Sequence, residues 1–149
     1  MPSGPYDADA VEEKWQDRWL EEDTYAYRGG EVDDPNTAFA IDTPPPTVSG
    51  SLHWGHVYGT VLQDIVARFT RMQGEEVYYP FGFDDNGIAS ERLTERELDI
   101  RHQDYERTEF QEKCREVCAQ YEDEFTENMQ SFGFSIDWDN TYRTIEPRV

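Results

Sequence analysis

The sequence predicts an α/β fold built on a parallel strand–helix–strand unit, with one helix before it and a helical segment after it. Three observations carry this. A short apolar run, Thr37 to Ile41, is stopped by Thr43-Pro44-Pro45-Pro46. A periodic apolar stripe then extends from His53 to Gln73, and a second short apolar run, Glu76 to Pro80, follows it. Proline donates no ladder hydrogen bond, so the proline run ends the first strand. Two strands joined by a helix of this length pair in parallel, because the crossover returns the chain to the same end of the sheet.

Taken in order, the first helix is expected from Asp7 to Glu22, where Val11, Trp15 and Trp19 recur at i, i+4 and i+8 with Leu20 beside them. The acid-rich stretch from Glu21 to Asn36, with Gly29 and Gly30, reads as a surface loop. The first strand is expected to be buried and to end at Asp42. A loop with Ser49-Gly50-Ser51 leads into the central helix, whose stripe of Val57, Val61, Ile65, Phe69 and Met72 is expected to face the core, with Gly74 terminating it. After the second strand, Ser90 is placed to cap a short helix reaching about Ile100. Thr108 with Gln111 forms a capping box for a long helix whose core stripe is Phe110, Cys114, Val117, Tyr121, Phe125 and Met129. Gly133 ends that helix, and turn and extended chain follow. Cys114 and Cys118 stand one helical turn apart, a poor disulfide geometry, so reduced core thiols are expected. The organisation is thus a helix and acidic loop over residues 1–36, the α/β unit with its helical extension over 37–131, and the start of a connection over 132–149.

Composition excludes several functions. The chain has 149 residues, and 33 Asp and Glu against 13 Lys and Arg give a formal charge of −20. Such a chain repels nucleic-acid phosphates. It offers neither a basic amphipathic helix for an anionic membrane nor an apolar run that spans a bilayer. MPSGPYDADA lacks the apolar core of a secretory signal. Aromatic residues at 14% argue for a packed core rather than disorder. Lys14 and Lys113 are the only lysines; all other bases are arginine. An acid-coated, lysine-poor surface points to a protein kept soluble in a salty, halophilic cytoplasm, the alternative being an acidic partner-binding face. Residues 39–90 hold only six acids and two bases, so this stretch wears little of the coat.

Three segments invite chemistry. In Ser49-Gly50-Ser51-Leu52-His53-Trp54-Gly55-His56 a loop enters a helix, whose N-terminus attracts anions such as phosphate. His53 and His56, at i and i+3, can donate to one anion, and Gly55 leaves room for a flat ring. Capping and packing of the helix start is the plainer alternative; a metal pair needs a third ligand, for which Asp84 or Asp85 is available. Thr43 to Val48 is a rigid rim or a stiff connector. Phe81-Gly82-Phe83-Asp84-Asp85-Asn86-Gly87-Ile88-Ala89 follows the second strand, and ligands of open α/β sheets sit beyond such strand ends.

Pro44-Pro45-Pro46-Thr47-Val48-Ser49-Gly50-Ser51-Leu52-His53-Trp54-Gly55-His56 resembles the HIGH signature of class I aminoacyl-tRNA synthetases, and Phe-Gly-Phe-Asp-Asp-Asn-Gly downstream resembles the second block of the valine, isoleucine and leucine branch. The pairing of the two most resembles valyl-tRNA synthetases of archaeal, haloarchaeal-like type. The resemblance runs from EEKWQDRWLEEDTY to Ile136-Asp137-Trp138. It implies the first half of a Rossmann-like catalytic domain. His53 and His56 would bind the ATP phosphates and stabilise charge at the α-phosphorus, and Gly55 would let adenine approach. Pro45 would line the valine side-chain pocket, Asp84 would hold the α-ammonium, and Asn86 falls on the same amino-acid side. The implied reaction joins valine to ATP as valyl-adenylate, releases pyrophosphate and passes the acyl group to tRNA. Mg2+ accompanies ATP without a dedicated protein cage. The resemblance also implies a cytoplasmic, monomeric parent with no membrane partner. The family's lysine-rich KMSKS loop is absent from these 149 residues. This chain is therefore expected to be the N-terminal part of a longer synthetase, inactive alone. A stand-alone ATP-binding or regulatory module, an isoleucine or leucine enzyme, and a metal-dependent hydrolase using His53, His56 and Asp84 are the alternatives.

Overall fold

A computed structural model describes residues 5–29 and 38–146. Within them the order is helix α1 (Ala8–Glu21), strand β1 (Phe39–Ala40), helix α2 (Trp54–Met72), strands β2 (Val77–Tyr78) and β3 (Pro80–Phe83), helix α3 (Ile88–Leu98), a 3-10 turn (His102–Asp104), helix α4 (Arg107–Ser131) and strand β4 (Asp137–Arg143).

β2 and β3 are one extended segment broken at Tyr79. The carbonyls of neighbouring strand residues point to opposite sides. Tyr78 O accordingly accepts from Ile41 N at 2.9 Å, whereas Tyr79 O accepts from Asp137 N at 2.8 Å. β1 therefore pairs with β2 on one side, and β4 pairs with β3 on the other, both in parallel. The register of β3 against β4 shifts between Pro80 and Gly82, where proline cannot donate to the ladder. Parallel pairing of β1 and β2 across α2 agrees with the expected α/β class.

Several boundaries differ from the sequence-based expectation. β1 is only two residues long and is exposed, not buried; among the described residues it is paired on one edge only. Thr37, and the loop from Gly30 to Asn36, lie outside the described residues. The second strand runs past Pro80 to Phe83, so Phe81-Gly82-Phe83 is strand and the loop begins at Asp84. α3 is capped by Gly87, at φ 83°, and Ser90 is buried inside its first turn. α4 has Glu106 at its N-cap and no side-chain cap bond, so Thr108 and Gln111 lie within the helix. The turn and extended chain expected after Gly133 include the seven-residue strand β4.

The core lies among β2, β3, α3 and α4, where Tyr79, Phe81, Phe83, Leu93, Val117, Cys118, Phe125, Met129 and Ile136 are buried together. The predicted α4 stripe is inward except for half-buried Tyr121, and both cysteines are free and buried. Burial raises both thiols, Cys118 to about 11, which keeps them unreactive. α1 buries no residue fully. It rests on the end of α4, where Gln16 donates to Ser131 O at 2.7 Å and Trp19 covers Gly133. Gly133 has φ 69°, and a Cβ there would meet the Trp19 ring at 2.9 Å, so both conformation and space call for glycine.

α2 packs on a different face from the one its sequence suggests. Val57, Thr60, Asp64, Ala67 and Thr70 are buried, whereas Val61, Ile65, Phe69 and Met72 of the predicted stripe are exposed. Polar anchors account for the inversion. Asp64 accepts from Ser135 N and Oγ, both at 2.6 Å, and Arg71 donates to Ser135 O at 3.0 Å, so the polar face is bound to the chain after α4. No helix among the described residues is long and apolar enough to cross a membrane.

Candidate functional site

The N-terminus of α2 opens into a cleft of about 190 Å³ whose walls are Pro44, Pro45, Pro46, Gly55, His56 and Gly59, with Phe81 and Gly82 of β3 and Met129 of α4. The proline run keeps its wall in place with little conformational freedom to lose. On the helix side, Gly55 and Gly59 are one turn apart and present no side chain. Thr60 and Gln63 continue that face, and Gln63 accepts from the Tyr79 hydroxyl at 3.0 Å. Sequence reasoning singled out Gly55 but missed Gly59, Thr60 and Gln63. The G-x-x-x-G spacing of Gly55 and Gly59 was the available signal.

His53 is the N-cap of α2 and completes a reciprocal cap with His56. Gly55 N donates to His53 Nδ1 at 3.1 Å, and His53 N donates to His56 Nδ1 at 3.4 Å. A ring nitrogen that accepts carries no proton, so each neutral imidazole holds its proton on Nε2 and has that N–H left to donate. The rings stack with centroids 3.8 Å apart and planes 19° from parallel. His56 also lies 5.2 Å from the fully buried Phe125 ring. Burial, and then the neighbouring His53, lower the His56 pKa, which favours its neutral form. No acid occupies the first turn of α2, so its partial positive charge is uncompensated. The arrangement can bind an anion through backbone and imidazole N–H groups beside an apolar cleft.

The other expected site residues divide. Pro45, Gly55 and His56 share the cleft, and exposed His53 stacks on His56. Asp84 is tied to the proline rim: Asp84 N donates to Pro46 O and Val48 N to Asp84 O, both at 2.9 Å, and Thr47 pairs with Asp84 in a parallel bridge. Its carboxylate accepts from Thr47 Oγ1 at 3.1 Å and Thr144 Oγ1 at 3.3 Å. Asn86 is exposed and lines a separate cavity of about 170 Å³ with Ser90, Cys114 and Ile145. Asp85, 2% exposed, accepts from Thr144 Oγ1 and Ile145 N at 3.0 Å each, which fastens the turn after β4. The hydrolase alternative is not supported: among the described residues no three His, Cys, Asp or Glu side chains come together as a metal site.

Two parallel strands joined by a helix, with the loops after them gathered at one end, define an open α/β type of domain. The family model of class I tRNA synthetases (I, L, M and V) matches residues 14–149, and the chain belongs to this family. It is 66% identical over 146 residues to a valine–tRNA ligase of Haloarcula marismortui, a match covering 98% of this chain and 16% of the relative. A valine–tRNA ligase of Rickettsia rickettsii (strain Sheila Smith) is 45% identical over 140 residues, 91% of this chain and again 16% of the relative. Among solved structures, the agnB2 LeuRS of Agrobacterium radiobacter K84, in a ternary complex with tRNA and LeuAMS, superimposes with a TM-score of 0.77 at 25% identity. That match covers 95% of this chain and 16% of the LeuRS. The chain thus spans 16% of the length of the relatives it matches.

Proposed function

We propose that this chain supplies the amino-acid-activating half-site of a cytoplasmic valine–tRNA ligase, which joins valine to ATP and passes it to tRNA. The observation that carries the reading is the stacked His53–His56 pair at the start of α2, beside the cleft walled by Pro45. The valine–tRNA ligases among its relatives support valine over isoleucine or leucine.

In this reading the ATP phosphates lie against the α2 N-terminus, and adenine lies over Gly55. The valine carboxylate attacks the α-phosphorus and pyrophosphate leaves. The Nε2–H groups of His53 and His56 donate to the oxygens on which negative charge grows, their Nδ1 atoms being engaged with backbone N–H groups. The Pro45 wall receives the valine side chain. Asp84, fixed by Thr47 and Thr144, is the carboxylate available to the α-ammonium, whereas Asn86 lines the separate cavity and takes no part in this reading. Mg2+ accompanies the nucleotide as its counter-ion.

The test is valine-dependent ATP–pyrophosphate exchange. The isolated chain is expected to show none. A chimera in which this chain replaces the matched segment of the Haloarcula relative is expected to be active, and His56→Ala within it to lower kcat by about 10²–10³-fold. Robust exchange by the isolated chain, or a preference of the chimera for isoleucine or leucine, would overturn the proposal.

A further inference from the structure

Asp85 is the one buried residue of the Asp84-Asp85-Asn86-Gly87 turn, and the proposed reaction gives it no part. Its bonds run mainly to a single neighbour. Asp85 Oδ1 accepts from Thr144 Oγ1 and from Ile145 N at 3.0 Å each, and Asp85 N donates to Thr144 Oγ1 at 3.2 Å. From α4 the Cys118 thiol donates to Asp85 O at 3.7 Å. Asp85 thereby fastens the end of β4 to the core, beside the bond from Thr144 N to Phe83 O at 3.0 Å.

This fastening places one hydroxyl between two adjacent carboxylates. Thr144 Oγ1 reaches Asp84 Oδ1 at 3.3 Å, while Thr47 Oγ1 donates to Asp84 Oδ2 at 3.1 Å. The two oxygens of Asp84 are thus held from different walls, Oδ2 from the proline rim and Oδ1 from the end of β4. Each carboxylate oxygen can accept two bonds. Each therefore keeps an acceptor position for a cation while the plane of the carboxylate stays fixed. A hydroxyl has a single proton, and Asp85 N–H already occupies a lone pair of Thr144 Oγ1, which turns that proton toward the carboxylates.

We infer that Thr144 is a positioning residue for amino-acid binding, with the buried Asp85 as the anchor that sets it. Thr144 acts through Asp84 and does not touch the substrate. The inference rests on the reading of Asp84 as the carboxylate for the α-ammonium. That ammonium keeps its charge throughout activation, so a misplaced Asp84 weakens the ground state and the transition state alike. The loss falls on the KM for valine, and not on kcat or on the KM for ATP.

Valine-dependent exchange by the chimera described above, with KM measured separately for valine and ATP, provides the test. Asp84→Asn checks the underlying reading and should raise the KM for valine about 10–100-fold. Thr144→Val keeps the shape and removes the hydroxyl, and should raise that KM about 3–10-fold. Its kcat and its KM for ATP should stay within about twofold of the unmodified chimera. Thr144→Ser restores the hydroxyl and should restore the KM. Asp85→Ala should behave as Thr144→Val does, and Asp85→Asn, which keeps an acceptor for Thr144, should be milder. In the Asp84→Asn background Thr144→Val should add less than about twofold, having nothing left to position. An unchanged valine KM in Asp84→Asn would remove the reading of Asp84 and this inference with it. A raised KM in Asp84→Asn would leave that reading standing. The inference alone would then fall if Thr144→Val left KM unmoved, if the Ser and Val variants were equally impaired, or if Thr144→Val and Asp84→Asn were fully additive. A merely structural role for Thr144 would lower the active fraction, and so kcat, at constant KM; that pattern would likewise overturn the inference.

Discussion

Glu122 is 2% exposed on α4, and its Oε2 lies 2.5 Å from Arg143 Nε in a geometry that makes no hydrogen bond. Burial raises its pKa from 4.5 to about 7, while Arg143 opposes the shift and Asp85 adds to it. The unfolded chain releases this proton near 4.5 and the folded chain retains it to about 7. Across that window the unfolded state binds fewer protons, so stability falls as pH rises. Glu122→Gln, which copies the protonated form, is expected to remove a component on the order of 2 kcal/mol from the pH dependence of unfolding. Urea titrations of wild type and variant from pH 4.5 to 8, at fixed salt, read this as a difference. Parallel curves would show that Glu122 titrates normally. A sequence reading that follows apolar residues along α4 has no reason to stop at Glu122, because a lone carboxylate on a helix ordinarily faces water. His53 and His56 were legible as a pair on one face of a helix start, and the structure stacks them there while also making them the cap of α2. That both would lend Nδ1 to backbone N–H groups, and so fix their tautomers, depends on three-dimensional cap geometry that spacing does not encode.

Among the elements, α2 depends on its charged residues for placement. Asp64 Oδ2 accepts from Arg68 Nε at 2.6 Å, while Oδ1 accepts from Ser135. Arg68 also reaches the Tyr25 hydroxyl at 3.1 Å and Gly133 O, and Arg71 reaches Ser135 Oγ at 2.7 Å. One carboxylate therefore joins α2 to the segment after α4, with two arginines packed around it. Asp64→Ala would leave both guanidinium groups half-buried without that counter-charge, and should cost about 2–4 kcal/mol, below the fully buried case because Arg68 is partly exposed. Asp64→Asn, which keeps an acceptor, should cost less. Urea midpoints of the two variants test the order, and equal losses would reduce Asp64 to a spacer. The same clamp explains which parts of the fold were readable. Periodicity located α2 and α4 and paired the strands in parallel, because apolar spacing responds to the helix period itself. It assigned α2 the wrong inward face, since Val61, Ile65, Phe69 and Met72 are more apolar than the side that packs. Nothing in the i, i+4 spacing of Asp64 and Arg68 distinguishes a buried anchor from a solvent-exposed pair. The second strand, expected over Glu76 to Pro80, continues to Phe83, because Pro80 begins β3 at a register shift that tolerates a missing donor.

At the scale of the whole molecule, 33 acids against 13 bases leave most carboxylates without any basic partner to find. Exposed ion pairs such as Arg18–Glu22 and Arg115–Glu112 add little to stability in dilute buffer. Unpaired acids then repel one another over distances of about 10 Å at 0.1 M salt, and over about 3 Å at 1 M. The folded state concentrates these charges and the unfolded state spreads them, so screening favours the fold. Unfolding midpoints of the isolated chain should therefore rise steadily with KCl into the molar range. The rise should be steepest at low salt, where the screening length changes most. Measuring the series at low protein concentration keeps the apolar face of α2 from contributing through association. A non-ionic osmolyte serves as the second arm, because sucrose strengthens burial without screening charge. If the charge coat is the cause, KCl should raise the midpoint well before sucrose does at matched osmolality. Equal stability in dilute buffer and in molar KCl would remove the halophilic reading and return the acid surface to the role of a binding face for a cationic partner.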